Sequence, residues 1–435
     1  MPELPRDIAL RIVQRLVNAG HVAYFAGGCV RDELLGLPPK DYDVATDATP
    51  DRIGSLFRRT REVGKVFGVM LVREGDTTVE VTTFRREGAY TDRRRPDSIE
   101  FADAPSDARR RDFTINALFI DPLAHADASG PCLPGARGRV IDYVGGLDDL
   151  NRRVIRAVGD PDARLNEDDL RALRAVRFAA RLGFEIDPQT EAAIRRHAGD
   201  LRGISRERIG EEIRMMLTHP ARARAVLLLE RLGLDAPVLN EAPIVNASSS
   251  VPRRPLVAAL EPQSGFVLAV AAWMLDRAAA QDPRADDAEA IEAHAGTWVR
   301  AWRSALCMTN RDRDDLLATV QGVGTIENRW SAMAVASRKR AAAAAWFAAA
   351  LRLTRVRQPT LAQAIDADVA QLAATAGGIA PQPWVSGDDL IAVGVQPGPM
   401  FGKWLDAIYD AQLEGRLSGP EDALRMGLAL SGVQP

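Results

Sequence analysis

The sequence predicts an α+β fold: a mixed β-sheet with helices at the N-terminal end, then helices alone. Two features carry this. Up to residue 146, short alternating apolar runs such as Val22–Ala26, Val66–Val72, Thr78–Phe84 and Val140–Val144 lie between glycine- and proline-rich turns. From Leu147 onward the apolar spacing becomes helical and stays so.

In chain order, Ile8, Ile12 and Leu16 predict a helix from Arg6 to Ala19, stopped by Gly20. The strand ending at Ala26 runs into Gly27-Gly28, and Asp32-Glu33-Leu34-Leu35 opens a helical turn ended by Gly36 and Pro38-Pro39. Thr49-Pro50-Asp51 starts a helix through Phe57. Residues 85–98 (RREGAYTDRRRPDS) are polar, basic and turn-rich, and read as a mobile loop. Asn166-Glu167-Asp168-Asp169 opens a helix to about Leu182, with Gly183 as its stop, and Ser205 opens the next, to Leu217. Residues 240–255 read as a polar connector. Beyond it Trp273, Trp298, Trp302, Trp330 and Trp346 recur in helical segments and read as core rather than as stacking platforms.

A chain of 435 residues is long enough for two to four packed units. The net charge of −3 argues against a basic coat for nucleic acid, although a local basic stripe is enough to bind RNA. Cys29, Cys132 and Cys307 have neither metal-type nor disulfide-framework spacing. The longest apolar runs, Gly265–Leu275 and Ala341–Leu351, are about half of what a membrane span requires. The first predicted helix is polar, unlike a leader segment. The expected location is cytoplasmic.

Gly27-Gly28 between a strand and a helix start leaves backbone N–H groups free to face an anion, with Arg31 beside them. Asp41 and Asp43 are two apart in a β-rich run, so both carboxylates leave the same face and repel unless a cation sits between them. Hard oxygen ligands of this kind suit Mg²⁺. A phosphate cradle beside a divalent-metal pair is what phosphoryl or nucleotidyl transfer needs. Each half alone equally fits a solvated loop end. Glu80 shares a strand face with Thr82 and is a candidate third carboxylate, though it also fits an exposed strand glutamate.

The string GGCVRDELLGLPPKDYDVATDATP resembles the class II tRNA nucleotidyltransferase and poly(A) polymerase family. So do RRDFTINAL at 110–118 and NEDDLRALRAVRFAARLGFEID from Asn166, and the resemblance covers residues 1–217. It implies a catalytic role for Asp41, Asp43 and Glu80, with Asp41 and Asp43 holding the metal. It implies nucleotide binding by Gly27, Gly28, Arg31, Arg111, Asp112, Asn116, Asp168, Arg171, Arg174 and Arg177. Asp112 also fits a helix cap, and the row Arg171, Arg174, Arg177, Arg181 also fits a solvated helix face. The resemblance further implies that the 85–98 loop assists A addition. The segments Ser386–Leu390 and Gln396–Gly402 resemble the family's C-terminal segment, though a helix–turn–helix connector fits them too. No His-Asp dipeptide of a metal phosphohydrolase occurs.

Asp168 and Arg171, three apart on a predicted helix, project from one face. Aspartate only accepts hydrogen bonds and arginine only donates. Cytosine and adenine each present an amino donor beside an unprotonated ring nitrogen, so this pair reads both. Uracil and guanine reverse both positions. Asp168 also fits a helix cap.

The expected activity is addition of CCA to tRNA 3′ ends from CTP and ATP, with Mg²⁺ as cofactor and pyrophosphate released. A poly(A) polymerase or an A-only adding enzyme shares these motifs. A non-catalytic RNA-binding protein is disfavoured by the intact Asp41/Asp43 pair. The expected organisation is a catalytic head at 1–146, a neck at 147–217, a helical body at 218–380 and a tail at 381–435.

Overall fold

The computed structural model describes residues 5–64, 68–88, 98–124, 137–242, 255–375 and 377–433. Two compact units divide the chain, Met1–Pro243 and Ile244–Pro435.

The first unit opens with helix α1 (Pro5–Asn18), strand β1 (Ala23–Ala26), helix α2 (Gly28–Leu34), strand β2 (Asp43–Thr46) and helix α3 (Pro50–Leu56). Thr49 caps α3 by accepting from the Arg52 amide at 3.4 Å. Strands β3 (Thr60–Gly64), β4 (Val69–Glu74) and β5 (Thr77–Thr83) follow, then the short β6 (Arg85–Glu87) and β7 (Ile99–Phe101). Helix α4 (Ala104–Arg110), strands β8 (Phe119–Asp121) and β9 (Arg139–Ile141), and helix α5 (Gly146–Arg152) complete the sheet region. Seven strands form one mixed sheet in the order β3-β4-β5-β2-β1-β8-β9. The β2–β5 pair is parallel and the rest are antiparallel.

Alternation along β1 assigns the two faces. Ala26 joins Ala45, Phe84, Ala104, Ala108 and Phe119 in a core that seats α4 on one side. Phe25 points the other way, toward α1, where the Arg6 guanidinium lies 5.4 Å from its ring. The register places Asp43 beside Ala26, and Val44 beside Val81. Asp43 therefore stands level with Glu80 on the neighbouring strand.

Several local expectations are corrected. Gly28 is the first residue of α2, so the helix starts four residues ahead of the expected Asp32, with Gly27 at its entry. Asp41 precedes β2 by two residues and is not a strand residue. Residues 85–87 are a strand paired to 99–101, not loop; residues 89–97 of the expected mobile loop lie outside the described residues. The Arg110-Arg111 doublet ends α4, and Asp112, a candidate helix cap, is followed only by a short 3₁₀ turn at Thr114–Asn116.

The remaining helices of this unit are α6 (Pro161–Glu167), α7 (Leu170–Leu182), α8 (Pro188–His197), α9 (Arg206–Leu217), α10 (Arg222–Arg231) and α11 (Asp235–Leu239). The helix expected from Asn166 onward is broken. Asp168 has extended backbone, φ −158° and ψ 102°, and separates α6 from α7. Two consecutive aspartates compete locally for backbone amides, and the Asp168 carboxylate accepts from the Leu170 amide at 3.1 Å. Gly183 ends α7 in the left-handed conformation, as expected.

The second unit is helical: α12 (Pro255–Ala259), α13 (Phe266–Gln281), α14 (Ala288–Ala305), α15 (Asn310–Arg329), α16 (Val335–Ala343), α17 (Phe347–Arg357), α18 (Pro359–Ala373), α19 (Gly387–Ala392), α20 (Phe401–Leu413) and α21 (Pro420–Ser431). Helix α13 is apolar on all sides from Phe266 to Leu275 and largely buried. Its Trp273 meets Trp302 edge-on at 5.1 Å, and both are core residues. Trp330 is buried as well, whereas Trp298 and Trp346 are half-buried. Leu390, Val395, Ile408 and Ala423 form a separate small core under α19–α21. Among the described residues, no helix is long and apolar enough to cross a membrane.

Candidate active site

One cleft of about 890 Å³ in the first unit is lined by all thirteen residues singled out above: Gly27, Gly28, Arg31, Asp41, Asp43, Glu80, Arg111, Asp112, Asn116, Asp168, Arg171, Arg174 and Arg177. The lining holds ten lysine or arginine side chains against seven carboxylates, so the cleft is net positive in a chain whose overall charge is −3. That balance suits a polyanion.

Asp43 is the electrostatic centre. Burial, then the Glu80 carboxylate, then Asp41 push its carboxyl up to about 7, against an ordinary value of 3.8. Arg111 pulls weakly the other way. Three carboxylates gathered where one can barely ionise fit a site completed by a hard divalent cation. The ligand atoms of these three do not all lie within 4.8 Å of one another. Among the described residues, the group whose ligand atoms all lie within 4.8 Å of one another is Asp169, His197 and Asp200. There His197 already hydrogen-bonds Asp200 at 3.1 Å and Asp162 at 3.0 Å. His197 thus already has two carboxylate partners, whereas Asp43 is crowded by two further carboxylates with Arg111 as the opposing charge acting on it.

Gly27 enters α2 with φ 76° and ψ −127°, a region closed to L side chains. A Cβ there would stand 2.9 Å from Arg111 Nη1. Gly27→Ala should therefore displace Arg111 and cost about 1–3 kcal/mol. Thermal denaturation and nucleotide affinity would both register it; an unchanged melting temperature would contradict the strain.

The arginines are not bare. Arg31 is 2% exposed, donates to Asn116 Oδ1 at 2.5 Å and to Asp32 Oδ1 at 2.8 Å, and lies over the Phe178 ring. Arg111 binds Asp107 Oδ2 at 2.9 Å and the Asn116 carbonyl at 3.1 Å. Arg174 forks onto Asp112 Oδ2 at 2.8 and 2.6 Å. Burial alone would raise the Asp112 carboxyl, but Arg174 and Asn116 outweigh it and hold it at about 2. Asp112 is thus an acceptor for Phe113, Asn116 and Arg174, not a helix cap. Arg177 binds Glu212 at 2.6 Å.

The two residues expected to read the base, Asp168 and Arg171, do not share one helix, and each has its own partners. Asp168 is off the helix and accepts from Arg208 Nη2 at 2.5 Å. Arg171 is engaged by Glu167 and by the Arg164 carbonyl. Both still face the cleft.

The sequence reading left several lining residues without a role. Asp32 joins Arg31 to Arg181 at 2.7 and 2.8 Å. Phe178 lies under Arg31, Arg174 and Arg177, with guanidinium carbons 4.4–5.4 Å from its ring centre. Arg181 was visible as the last member of the arginine row; Asp32, Phe178 and Arg208 carried no signal that separates them from ordinary helix residues.

Comparison with known proteins bears on the whole arrangement. Residues 23–156 match the family described as the poly A polymerase head domain, and residues 183–245 match the probable RNA and SrmB-binding site of polymerase A. The chain is 34% identical to the CCA-adding enzyme of Limosilactobacillus fermentum over 422 residues, 95% of this chain and 94% of the relative. It is 42% identical to the CCA-adding enzyme of Geobacillus stearothermophilus over 233 residues, which spans 53% of this chain and about half (54%) of that relative. The crystal structure of the Bacillus stearothermophilus CCA-adding enzyme in complex with CTP superposes with a TM-score of 0.69 at 29% identity, covering 98% of both chains. The Thermotoga maritima CCA-adding enzyme complexed with tRNA shares the fold, with a TM-score of 0.65 at 18% identity over 98% of this chain and 96% of that one. With the head sheet, the carboxylates around Asp43 and the arginine-lined wall in place, the chain belongs to the class II nucleotidyltransferase family that contains the CCA-adding enzymes.

Proposed function

We propose that this chain adds C, C and A in turn to tRNA 3′ ends from CTP and ATP, releasing pyrophosphate. The observation that carries the reading is the convergence of Asp41, Asp43 and Glu80 with an arginine wall in one cleft. The near-full-length similarity to a CCA-adding enzyme supports the choice of product.

Asp41 and Asp43 hold Mg²⁺, and Glu80 supports the site from the adjacent strand. When bound, the metal polarises the 3′-hydroxyl and steadies the triphosphate. Gly27 lets the backbone approach the phosphates at the entry to α2. Arg111 and Arg174 face the triphosphate, while Arg31, Arg177 and Asn116 brace them. Asp112 fixes Arg174 and Asn116. Asp168 and Arg171 exchange their present partners for the base edge. The proposal keeps the division into head (1–146), neck (147–217), body (218–380) and tail (381–435), the tail contacting tRNA. It places the reaction in the cytoplasm, where tRNA and both nucleotides are available.

The test is incubation with tRNA ending at the discriminator base, at C or at CC, with each nucleotide separately, followed by sequencing of the products. Ordered C, C and A addition supports the proposal. Runs of A, or A on CC ends alone, would replace it by a poly(A) or A-only activity.

The raised Asp43 carboxyl gives a pH prediction. The folded, metal-free protein holds this proton more tightly than the unfolded chain does. Its contribution is fully present below about 3.8 and is lost as pH rises through about 7. Metal-free protein should therefore lose melting temperature across that window, and saturating Mg²⁺ should remove much of the loss. Mg²⁺ affinity should rise with pH between about 6 and 8, because binding expels the proton. Parallel melting curves with and without Mg²⁺ would contradict this.

A further inference from the structure

The ladder that fixes Asp43 begins at that residue, opposite Ala26. Asp41 is two residues outside it, exposed, on a segment without regular structure. The side chain between the two carboxylates is anchored. Tyr42 is 8% exposed, and its ring meets Phe25 edge-on at 5.1 Å. Its hydroxyl donates to Glu33 Oε2 at 3.0 Å. Burial, with Glu33 beside it, holds the phenol well above its ordinary value, so it stays a donor.

Glu33 is itself a junction. It is 9% exposed, on α2, and gathers three donors from three other segments. Arg6 Nε of α1 lies 3.3 Å from Oε2, and the Arg137 backbone N–H donates to Oε1 at 3.1 Å. Arg6 also donates to the Arg137 carbonyl at 2.6 Å, closing the ring. A buried carboxylate is strongly unfavourable without partners, and here the partners tie α1, α2 and the approach to β9 to the Tyr42 hydroxyl.

We propose that Glu33 and Tyr42 are positioning residues for the metal site, holding Asp41 at the distance from Asp43 that a divalent cation requires. Neither side chain lines the cleft, so neither touches metal or nucleotide. The inference rests on the reading of Asp41 and Asp43 as metal ligands. It follows from the register: the sheet positions one carboxylate, and the Tyr42–Glu33 hydrogen bond positions the other. Outer partners of this kind commonly change metal affinity about tenfold or more.

The experiment measures Mn²⁺ binding by electron paramagnetic resonance, with melting temperature and Mg²⁺-dependent turnover on the same samples. Tyr42→Phe keeps the ring and its packing on Phe25 and removes only the hydroxyl. Its Mn²⁺ dissociation constant should rise about tenfold, and turnover should return toward the wild-type value at saturating Mg²⁺. Glu33→Gln keeps an oxygen that accepts from Tyr42 and should stay within about threefold, the worth of a weakened hydrogen bond. A purely structural pair would lower the melting temperature of both variants and leave Mn²⁺ affinity unchanged, which overturns the proposal. Asp43→Ala separates the two levels. If it abolishes Mn²⁺ binding while Tyr42→Phe binds normally, the positioning role falls and the metal reading stands. If Asp43→Ala itself binds Mn²⁺ like wild type, the metal reading falls and the inference with it.

Discussion

Asp43→Ala is expected to lower turnover about a thousandfold at saturating Mg²⁺ and saturating nucleotide. Loss of a metal ligand at the reacting centre removes several kcal/mol of transition-state stabilisation, and ~4 kcal/mol corresponds to about three decades of rate. The fold should survive. Asp43 stands at the end of β2 facing a cleft, and its carboxyl is held by repulsion from Glu80 and Asp41 rather than by a partner. At neutral pH without metal, the alanine variant should melt no lower than wild type, because one of three crowded carboxylates is gone. Turnover within tenfold of wild type would remove Asp43 from the catalytic role. A collapsed melting temperature would instead mean that the rate loss reports unfolding.

The second large effect is a change of preference. On the proposed reading, Asp168→Ala removes the acceptor for the amino group of cytosine and adenine, and also the acceptor that would clash with the carbonyl of uracil and guanine. Discrimination against UTP relative to CTP should fall by about tenfold to a hundredfold, the worth of one specific base contact of roughly 1–3 kcal/mol. In the present state the same carboxylate pairs with Arg208, so the variant also leaves that guanidinium without its 2.5 Å partner. Some loss of melting temperature is therefore expected whichever reading holds. The incorporation ratio of the four nucleotides decides. An unchanged C:U ratio would leave Asp168 as an anchor for α9 and move base selection elsewhere.

The parts of the site that were legible in the sequence are those set by short-range rules. Alternation along Thr78–Phe84 put Glu80 on one face with Thr82, and the structure has Thr77–Thr83 as a strand with Val79 and Val81 buried. Gly183 as a helix stop and the tryptophans Trp273 and Trp302 as core follow from the same local logic. The parts that were not legible depend on long-range pairing. The parallel contact between β2 and β5 sets Asp43 beside Glu80, and no feature of either segment announces it. Arg174 and Asp112 are 62 positions apart, and Arg181 and Asp32 are 149 apart. Helical spacing described Asp168 and Arg171 as one face; a competing local hydrogen bond to the Leu170 amide broke the helix between them. The period was read correctly and the boundary was not, because Asp-Asp at a helix start supports either a cap or a break.

The pairing of the cleft arginines has a kinetic meaning. Arg31, Arg111, Arg174, Arg177 and Arg181 each face an internal carboxylate: Asp32, Asp107, Asp112, Glu212 and again Asp32. A triphosphate entering this cleft exchanges partners with groups already present, so its net attraction is much smaller than the arginine count suggests. The reverse exchange acts on the way out. Once the bond to the leaving group is broken, the same carboxylates compete with pyrophosphate for the guanidiniums, as a tethered competitor that cannot diffuse away. On the proposed reading, an enzyme that adds one nucleotide, empties its site and takes another would gain from such built-in competition against its own product.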